Sequence, residues 1–547
     1  MTRLTTHRDG VGDVDIVVIG AGINGLATAR EAAAQGLSVV LIDRDDIGAR
    51  TSAISTRLIH GGLKYLERME LNLVHESIRE RNILLDQAPH LVRPYPMLIP
   101  FSSSQSRPGW LLSCGLMLHD VLSLGKRLPR NGIVFRRRLE RDWPSLAEAG
   151  LRWAGLFQDA QVPLTERLTV ELAIDAQRNG AVVLTHAPVE GLLREDGRIA
   201  GVVYRDREDG APRTVRARRV VNAAGPWVDE ILDLAGDHDR RIGPTKGSHC
   251  VVDPFPGAPD TCVFFESPND TRPMFVLPWL GRYMIGTTDL PYDGGIDDIR
   301  IDDEETDYLL SAVNTLIPSA GLERSDVIWS YSGVRPLPYV GELDDPSTVT
   351  RDHVFIEHEG ADAGLVTVVG GKLTTHRALG EQLVRRLRAS LGLPRRSSPT
   401  RSSPLPGRPA EASWPAYRSA AIAAAAVVDG VGPALAERLV DTYGSASETI
   451  VAAIAERPDR GRVVDEDSGA CAAELVFAVA EEGAHTLEDV LLRRTAIGLN
   501  ADVGIAAARP AAAVLVEEGL WSPDRAEAET ERYLAAVERF TPRRVSH

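Results

Sequence analysis

The feature that most limits what this chain can fold into is Gly20-Ala21-Gly22-Ile23-Asn24-Gly25, a G-x-G-x-x-G set directly behind the apolar run Asp15 to Ile19. An Ala-rich helical stretch from Asn24 to Gln35 follows, and Ser38 to Ile42 is a second apolar run. Strand, glycine turn, helix, strand is a βαβ unit, which commits the start of the chain to a parallel sheet that binds a dinucleotide. Gly20 permits the tight turn, Gly22 lets the backbone approach a pyrophosphate, and Gly25 allows the helix to close on the strand. The pyrophosphate then sits at a helix N-terminus, where free N–H groups and the dipole favour an anion. Asp43, at the end of the second strand, is placed to accept hydrogen bonds from a ribose. The turn alone does not separate FAD from NAD.

A chain of 547 residues calls for two or three domains. Helix and strand patterns alternate through Glu166–Asn179, Ala181–Thr185 and Arg219–Asn222, and strand-like pieces dominate from Ser248 to about Trp329. This places a dinucleotide-binding domain at 14–245 and 330–392, interrupted by a sheet domain at 246–329 with pieces near 90–130. Arg395 to Pro409 is a Pro/Ser/Arg-rich stretch, read as a linker over 393–412. The Ala-rich remainder, 413–547, reads as a helical domain. Thr486 and Asp489 mark a helix start there, with Arg493 and Arg494 at the end that suits the dipole.

The net charge of -16 excludes nucleic acid as a bulk partner but leaves room for a small basic pocket. Cys114, Cys250, Cys262 and Cys471 stand far apart, as reduced thiols of a cytoplasmic protein do. Met1 to Asp13 is polar and carries acidic residues, unlike a secretory signal, and no apolar run is long enough to span a bilayer. Any membrane contact is therefore peripheral, at the inner face of the cell membrane. Trp110 to Leu118 is apolar and reads as a buried helix, with an interfacial one as the alternative.

Gly370-Gly371-Lys372-Leu373-Thr374-Thr375 is a second glycine turn, behind the apolar run Leu365 to Val369. It is no phosphate loop, because Val366 stands where the leading glycine should be and Leu373 takes the magnesium-binding hydroxyl position. A fold using its first and last βα turns on one cofactor suits a buried flavin. The histidines show no metal spacing.

These motifs, with Leu58 to Glu67, Asn222 to Trp227, Lys246 to His249, Ile285 to Asp289 and Ser332 to Pro336, resemble the FAD-dependent glycerol-3-phosphate dehydrogenases over nearly the whole chain. The resemblance implies a glutathione-reductase-like α/β FAD domain, an antiparallel β-sheet substrate domain over the flavin, and a C-terminal α-helical domain. It implies FAD, glycerol 3-phosphate as substrate, a quinone acceptor and a homodimer. By the family pattern Gly20, Gly22, Asn24, Gly25, Asp43, Thr51, Ser52, Gly225, Gly371, Leu373 and Thr374 hold FAD, with His60, Gly61 and Gly62 near its ring. Arg335 and Lys372 resemble substrate-pocket cations beside Lys64 and Tyr65. The family usually has Arg at Lys64, Glu at Asp43 and Lys at Arg57. Lys64 bears on substrate choice, since a guanidinium grips phosphate with a fork and an ammonium does not.

Oxidising a secondary alcohol requires a proton acceptor, and His60 and His249 are both candidates. Lys372, placed at a helix start, needs an anion near it, either the substrate phosphate or the flavin. The rival readings are an oxidase that reduces oxygen, an FAD enzyme for another small anion, and a non-catalytic flavoprotein.

Overall fold

The computed structural model describes residues 3–6, 11–62, 70–101, 109–122, 128–341, 352–409 and 413–540, with backbone alone at 109–112 and 121–122. Lys64 and Tyr65 lie outside these residues.

The first sheet grows from Val14–Ile19, which lies parallel between Pro212–Asn222 and Val39–Ile42. Val182–Leu184 extends one side and Leu365–Val369 the other, both parallel, with Val354–Glu357 antiparallel at the edge. Val39–Ile42 and the Ile16 to Ile19 part of the first strand are continuous Val/Ile/Leu runs because both faces of the sheet are covered there. Ile16, Val18 and Leu41 pack beneath the helices Ile23–Ala34, Thr165–Arg178 and His376–Ser390, while Val17, Ile19, Val40 and Ile42 pack under the hairpin Val189–Glu195/Arg198–Arg205. The first and last of those helices approach closely, since a Cβ on Gly380 would stand 2.6 Å from the carbonyl oxygen of Ala27.

The second sheet, of ten strands among the described residues, is antiparallel over most of them. From one side to the other, Val327–Arg335, Thr245–Val252, Arg282–Gly286, Pro273–Trp279 and Cys262–Glu266 are neighbours. Arg93–Pro100 and Trp153–Gln161 continue it, and Leu58–Ile59 joins at the far edge. The early stretch thus supplies strands from 58 to 161, more than the pieces expected near 90–130. One face packs on a helix, Asp303–Leu316, absent from the strand-dominated reading of 248–329. A local signal was present: Asp302 accepts from the Glu305 N–H and Glu305 accepts from the Asp302 N–H, a capping box.

The other face of this sheet shares a core with the C-terminal helices, in which Trp279, Trp329 and Tyr331 join Leu491, Leu492, Ile497 and Leu515. Thr486 and Asp489 cap each other as expected, but only one π-helical turn, Asp489–Arg494, follows. Arg493 and Arg494 are buried rather than serving an exposed helix end. Arg493 Nε lies 2.7 Å from Asp46 Oδ2, and Arg494 donates to both Asp46 oxygens at 2.7 and 2.9 Å. The Pro/Ser/Arg-rich stretch is likewise packed. Gln87 Nε2 donates to the Thr400 carbonyl at 2.6 Å, Ser398 and Thr400 donate to Glu31, and the Gly407 N–H donates to Glu171.

In the helix Gly109–Leu122, the buried reading holds for one face only: Leu116 and His119 are buried, whereas Met117 is 65% exposed. No helix among the described residues is long and apolar enough to cross a membrane.

Candidate active site

The two sheets enclose a cavity of about 770 Å³, and its two ends differ in chemistry. At the first, Gly20 has φ +107, and an added Cβ there would stand 2.5 Å from the Ala223 carbonyl oxygen. A Cβ on Gly25 would meet the Gly20 carbonyl oxygen at 1.9 Å, so the turn closes only with glycine at both positions. Gly22 is the N-cap of the first helix, and Ser52 Oγ accepts from the next N–H, that of Ile23, at 2.9 Å. Asp43 accepts from the Ala21 N–H at 2.5 Å and the Asp45 N–H at 2.8 Å. Burial, followed by the neighbouring Asp45 charge, pushes its carboxyl up to about 6.

The second glycine turn meets the first. Asn24 Nδ2 donates to the Gly370 carbonyl at 3.0 Å, and a Cβ on Gly371 would collide with the Asn24 amide at 2.5 Å. Asn24 Oδ1 and Trp227 Nε1 are buried with no hydrogen-bond partner among the described residues. Polar atoms left so beside a glycine cradle and a helix N-terminus suit a bound dinucleotide, and the donor set fits FAD. Thr51, Gly225 and Leu373 line the same cavity, and Thr51 Oγ1 donates to the Val334 carbonyl at 3.1 Å. Arg44 stacks over Trp227 at 4.8 Å, and Asp45 pairs with Arg50 at 2.7 Å.

At the other end His60, His249, Arg335 and Lys372 all line the cavity, with Met97, Ile99, Phe157, Phe264 and Phe275 as apolar wall. Glycines make room for the large groups: a Cβ on Gly247 would lie 2.3 Å from the Arg335 guanidinium, and one on Gly286 would lie 2.1 Å from the His249 ring. Arg335 donates to Asp289 Oδ1 at 2.9 Å, to Thr287 Oγ1 at 3.0 Å and to the Thr288 carbonyl at 3.2 Å. His249 stacks on Tyr331 at 4.7 Å, and its Nε2 lies 3.0 Å from Thr56 Oγ1. Burial, then the Arg335 and Arg57 charges, lower it to about 3, so the imidazole is neutral at working pH.

Several expected residues stand behind the wall. The Gly61 N–H donates to both oxygens of Asp159, at 3.0 and 2.9 Å, and Arg81 pairs with that carboxylate at 2.8 Å with both side chains fully buried. Burial raises the Asp159 carboxyl to about 6. Gly62 has φ +76. Thr374 is buried and accepts the His60 N–H at 3.1 Å, while Gly25 acts through helix closure. Lys372 is not at a helix start, since the helix begins at His376 and Lys372 sits in the turn before it. The sequence reading missed Asp159, Arg81, Asp46, Thr56 and Arg272. Thr287 and Asp289 fell within a recognised motif without being singled out.

His376 is buried at the first position of that helix, and its Nδ1 lies 2.7 Å from the Leu373 carbonyl oxygen. Burial pushes it down to about 4, so the fold holds it neutral where an unfolded histidine binds a proton near 6.5. Its stabilising contribution is therefore complete above about pH 6.5 and is lost as pH falls toward 4. Asp43 and Asp159 act in the opposite sense, so the whole-protein curve mixes both signs. The difference between His376→Gln and the parent isolates one group. That difference is expected to move in the variant's favour by about 1.4 kcal/mol per pH unit from pH 6.5 to 4. Urea midpoints at pH 7 and 5 for the two proteins test it, and a constant difference contradicts it.

Residues 15–377 match the family described as FAD dependent oxidoreductase, and residues 398–526 match the C-terminal domain of alpha-glycerophosphate oxidase. The chain is similar to a glycerol-3-phosphate dehydrogenase of Synechocystis sp., with 40% identity over 537 residues, 95% of each chain. It is also similar to a D-erythritol 1-phosphate dehydrogenase of Brucella abortus, with 38% identity over 88% of this chain and 94% of that one. The crystal structure of the glycerol-3-phosphate dehydrogenase of Bacillus halodurans with FAD superposes with a TM-score of 0.76 at 27% identity, over 98% of this chain and 97% of that one.

Proposed function

The chain belongs to the family of FAD-dependent glycerol-3-phosphate dehydrogenases, and from that premise we propose that it oxidises sn-glycerol 3-phosphate at C2 to dihydroxyacetone phosphate. A quinone is the proposed electron acceptor. The observation that carries the reading is the meeting of Arg335, Lys372, His60 and His249 on one cavity that continues into the dinucleotide cradle.

FAD, when bound, supplies the two-electron acceptor for the hydrogen leaving C2. The chain's own residues do the rest. Arg335 and Lys372 hold the phosphate end, Arg335 being aimed by Asp289 and Thr287. His60 takes the hydroxyl proton. Its backbone is anchored twice, by Thr374 Oγ1 on its own N–H and by Asp159 on the next. His249, whose protonated form is disfavoured by burial and by the Arg335 and Arg57 charges, orients the hydroxyl as a neutral partner. The apolar wall excludes water and so strengthens each of these contacts.

A second reading, oxidation of a longer polyol phosphate, is favoured by the 38% identical erythritol-phosphate relative. The experiment is anaerobic bleaching of the bound flavin by glycerol 3-phosphate, erythritol 1-phosphate and glycerol, with Arg335→Ala alongside. Glycerol 3-phosphate is expected to bleach the flavin at the lowest concentration. Arg335→Ala should lose roughly tenfold to a hundredfold in kcat/KM, the worth of one charge-assisted hydrogen bond. No bleaching by glycerol 3-phosphate rejects the reading. Oxygen uptake without added quinone that matches turnover rejects the quinone acceptor.

A further inference from the structure

We infer that Arg272 is a specificity-determining residue, a guanidinium at the substrate end of the cavity that grips the phosphate of the incoming alcohol ester. The inference rests on the reading of this site as one for a phosphorylated alcohol, and it names a contact that reading lacks.

Among the described residues five arginines line the cavity, Arg44, Arg50, Arg57, Arg272 and Arg335; the first three are committed elsewhere and Arg335 is already assigned to the phosphate end. Arg44 and Arg50 stand with Asp45 at the nucleotide end. Arg57 is buried in a two-pronged pair with Glu166, both contacts 2.7 Å, and is stacked over Trp279. Arg335 is held by Asp289, Thr287 and the Thr288 carbonyl in the orientation proposed for the phosphate end. Arg272 differs. It is about one-third exposed, and its ion partner among the described residues is Asp270, which meets it through Nε at 3.2 Å.

The strand register places it correctly. Phe275 lies opposite Gly286, and Gly286 lies opposite His249. The start of Pro273–Trp279, the segment after Gly286 that carries Thr287 and Asp289, and the start of Thr245–Val252 therefore share one end of the sheet. Arg335 closes that end from the next strand, opposite Thr245. Neighbouring strands are about 4.8 Å apart, so the Phe275 and His249 strands are separated by roughly 10 Å. Arg272, three residues before Phe275, lines the same cavity as Arg335, and an arginine side chain and a three-carbon ester together can cover such a gap.

The hairpin holds Arg272 in place. The Ser267 N–H donates to the Arg272 carbonyl at 2.8 Å, the Arg272 N–H donates to Asp270 at 3.1 Å, and Tyr308 donates to Asp270 at 2.9 Å. Asp270 thus fixes both the backbone and Nε of Arg272. A forked donor so aimed suits a phosphate better than a lysine would.

The test uses the FAD-loaded full chain and the variants Arg272→Ala and Arg272→Lys, each checked for flavin content and thermal midpoint. Two readouts are compared: kcat and KM for glycerol 3-phosphate and for glycerol, and the perturbation of the flavin spectrum by inorganic phosphate. Arg272→Ala is expected to raise KM for glycerol 3-phosphate and the Kd for phosphate by roughly tenfold to a hundredfold, with glycerol oxidation unchanged. Arg272→Lys should recover part of both. Equal losses on glycerol and its phosphate ester with flavin retained, or an unchanged phosphate Kd, overturn the inference. If the parent is not bleached by glycerol 3-phosphate, the proposed function fails, while the phosphate titration still decides on Arg272. A parent flavin that inorganic phosphate does not perturb overturns it as well.

Discussion

Gly22→Val is expected to give a folded, colourless protein. Gly22 sits at φ -72, ψ 175, a backbone conformation that any residue adopts, so valine imposes no turn strain. Its Cβ would lie 3.3 Å from Ser52 Oγ, tight but not a backbone collision. The branched methyls would occupy the space above the helix N-terminus where the pyrophosphate belongs. Gly20→Val is not equivalent, because there φ is +107 and the Ala223 carbonyl blocks the side chain, so the turn itself is lost. The checks are the FAD-to-protein ratio after purification and the thermal midpoint. A yellow Gly22→Val at full occupancy contradicts the account.

Asp46→Asn is expected to cost about 3–5 kcal/mol, the usual penalty for breaking a buried ion pair from one side. Arg493 and Arg494 both rest on this carboxylate, and Asp46 and Arg494 have no exposed side-chain surface. Asp489 and Glu488 still hold Arg493, so Arg494 is the group left stranded. Because Asp46 also lines the cavity, the variant should release FAD faster as well as unfold at lower urea. Replacing both partners, Asp46→Leu with Arg494→Met, should recover much of the stability, since desolvating the pair already offsets most of its attraction. Urea midpoints for the three proteins decide the matter, and a single variant as stable as the parent rules the argument out.

What could be seen in the sequence was whatever lies close together along the chain. Gly20 to Gly25 and its flanking runs announced a βαβ unit, and the seven motifs in order identified the family and with it FAD and the three-part fold. The meeting of the first and last glycine turns was also anticipated, and Asn24 supplies the contact. Pairs formed by tertiary packing left no local trace. Asp159 and Arg81 are 78 positions apart, Asp46 and Arg494 are 448 apart, and an isolated charged residue looks like any solvated one. Lys372 was misplaced for a different reason. Gly370 and Gly371, at φ +81 and +98, prolong the turn, so the helix begins four residues later than the pattern suggested. The helix Asp303–Leu316 was lost among strand-like neighbours although its capping box was legible.

The hydrogen bond between Asn24 and Gly370 has a consequence for biosynthesis. The halves of the cradle it joins lie 346 positions apart, so a ribosome that has made the first βαβ unit has made only part of a binding site. At about 5–20 residues per second, the remaining strand and turn emerge tens of seconds later. During that interval the nascent chain exposes a parallel sheet without its final inner strand, a surface prone to mispairing. A complete cradle for the flavin is thus expected only after Gly370 has emerged, and full-length chains made without flavin would lack the ligand that bridges its two halves.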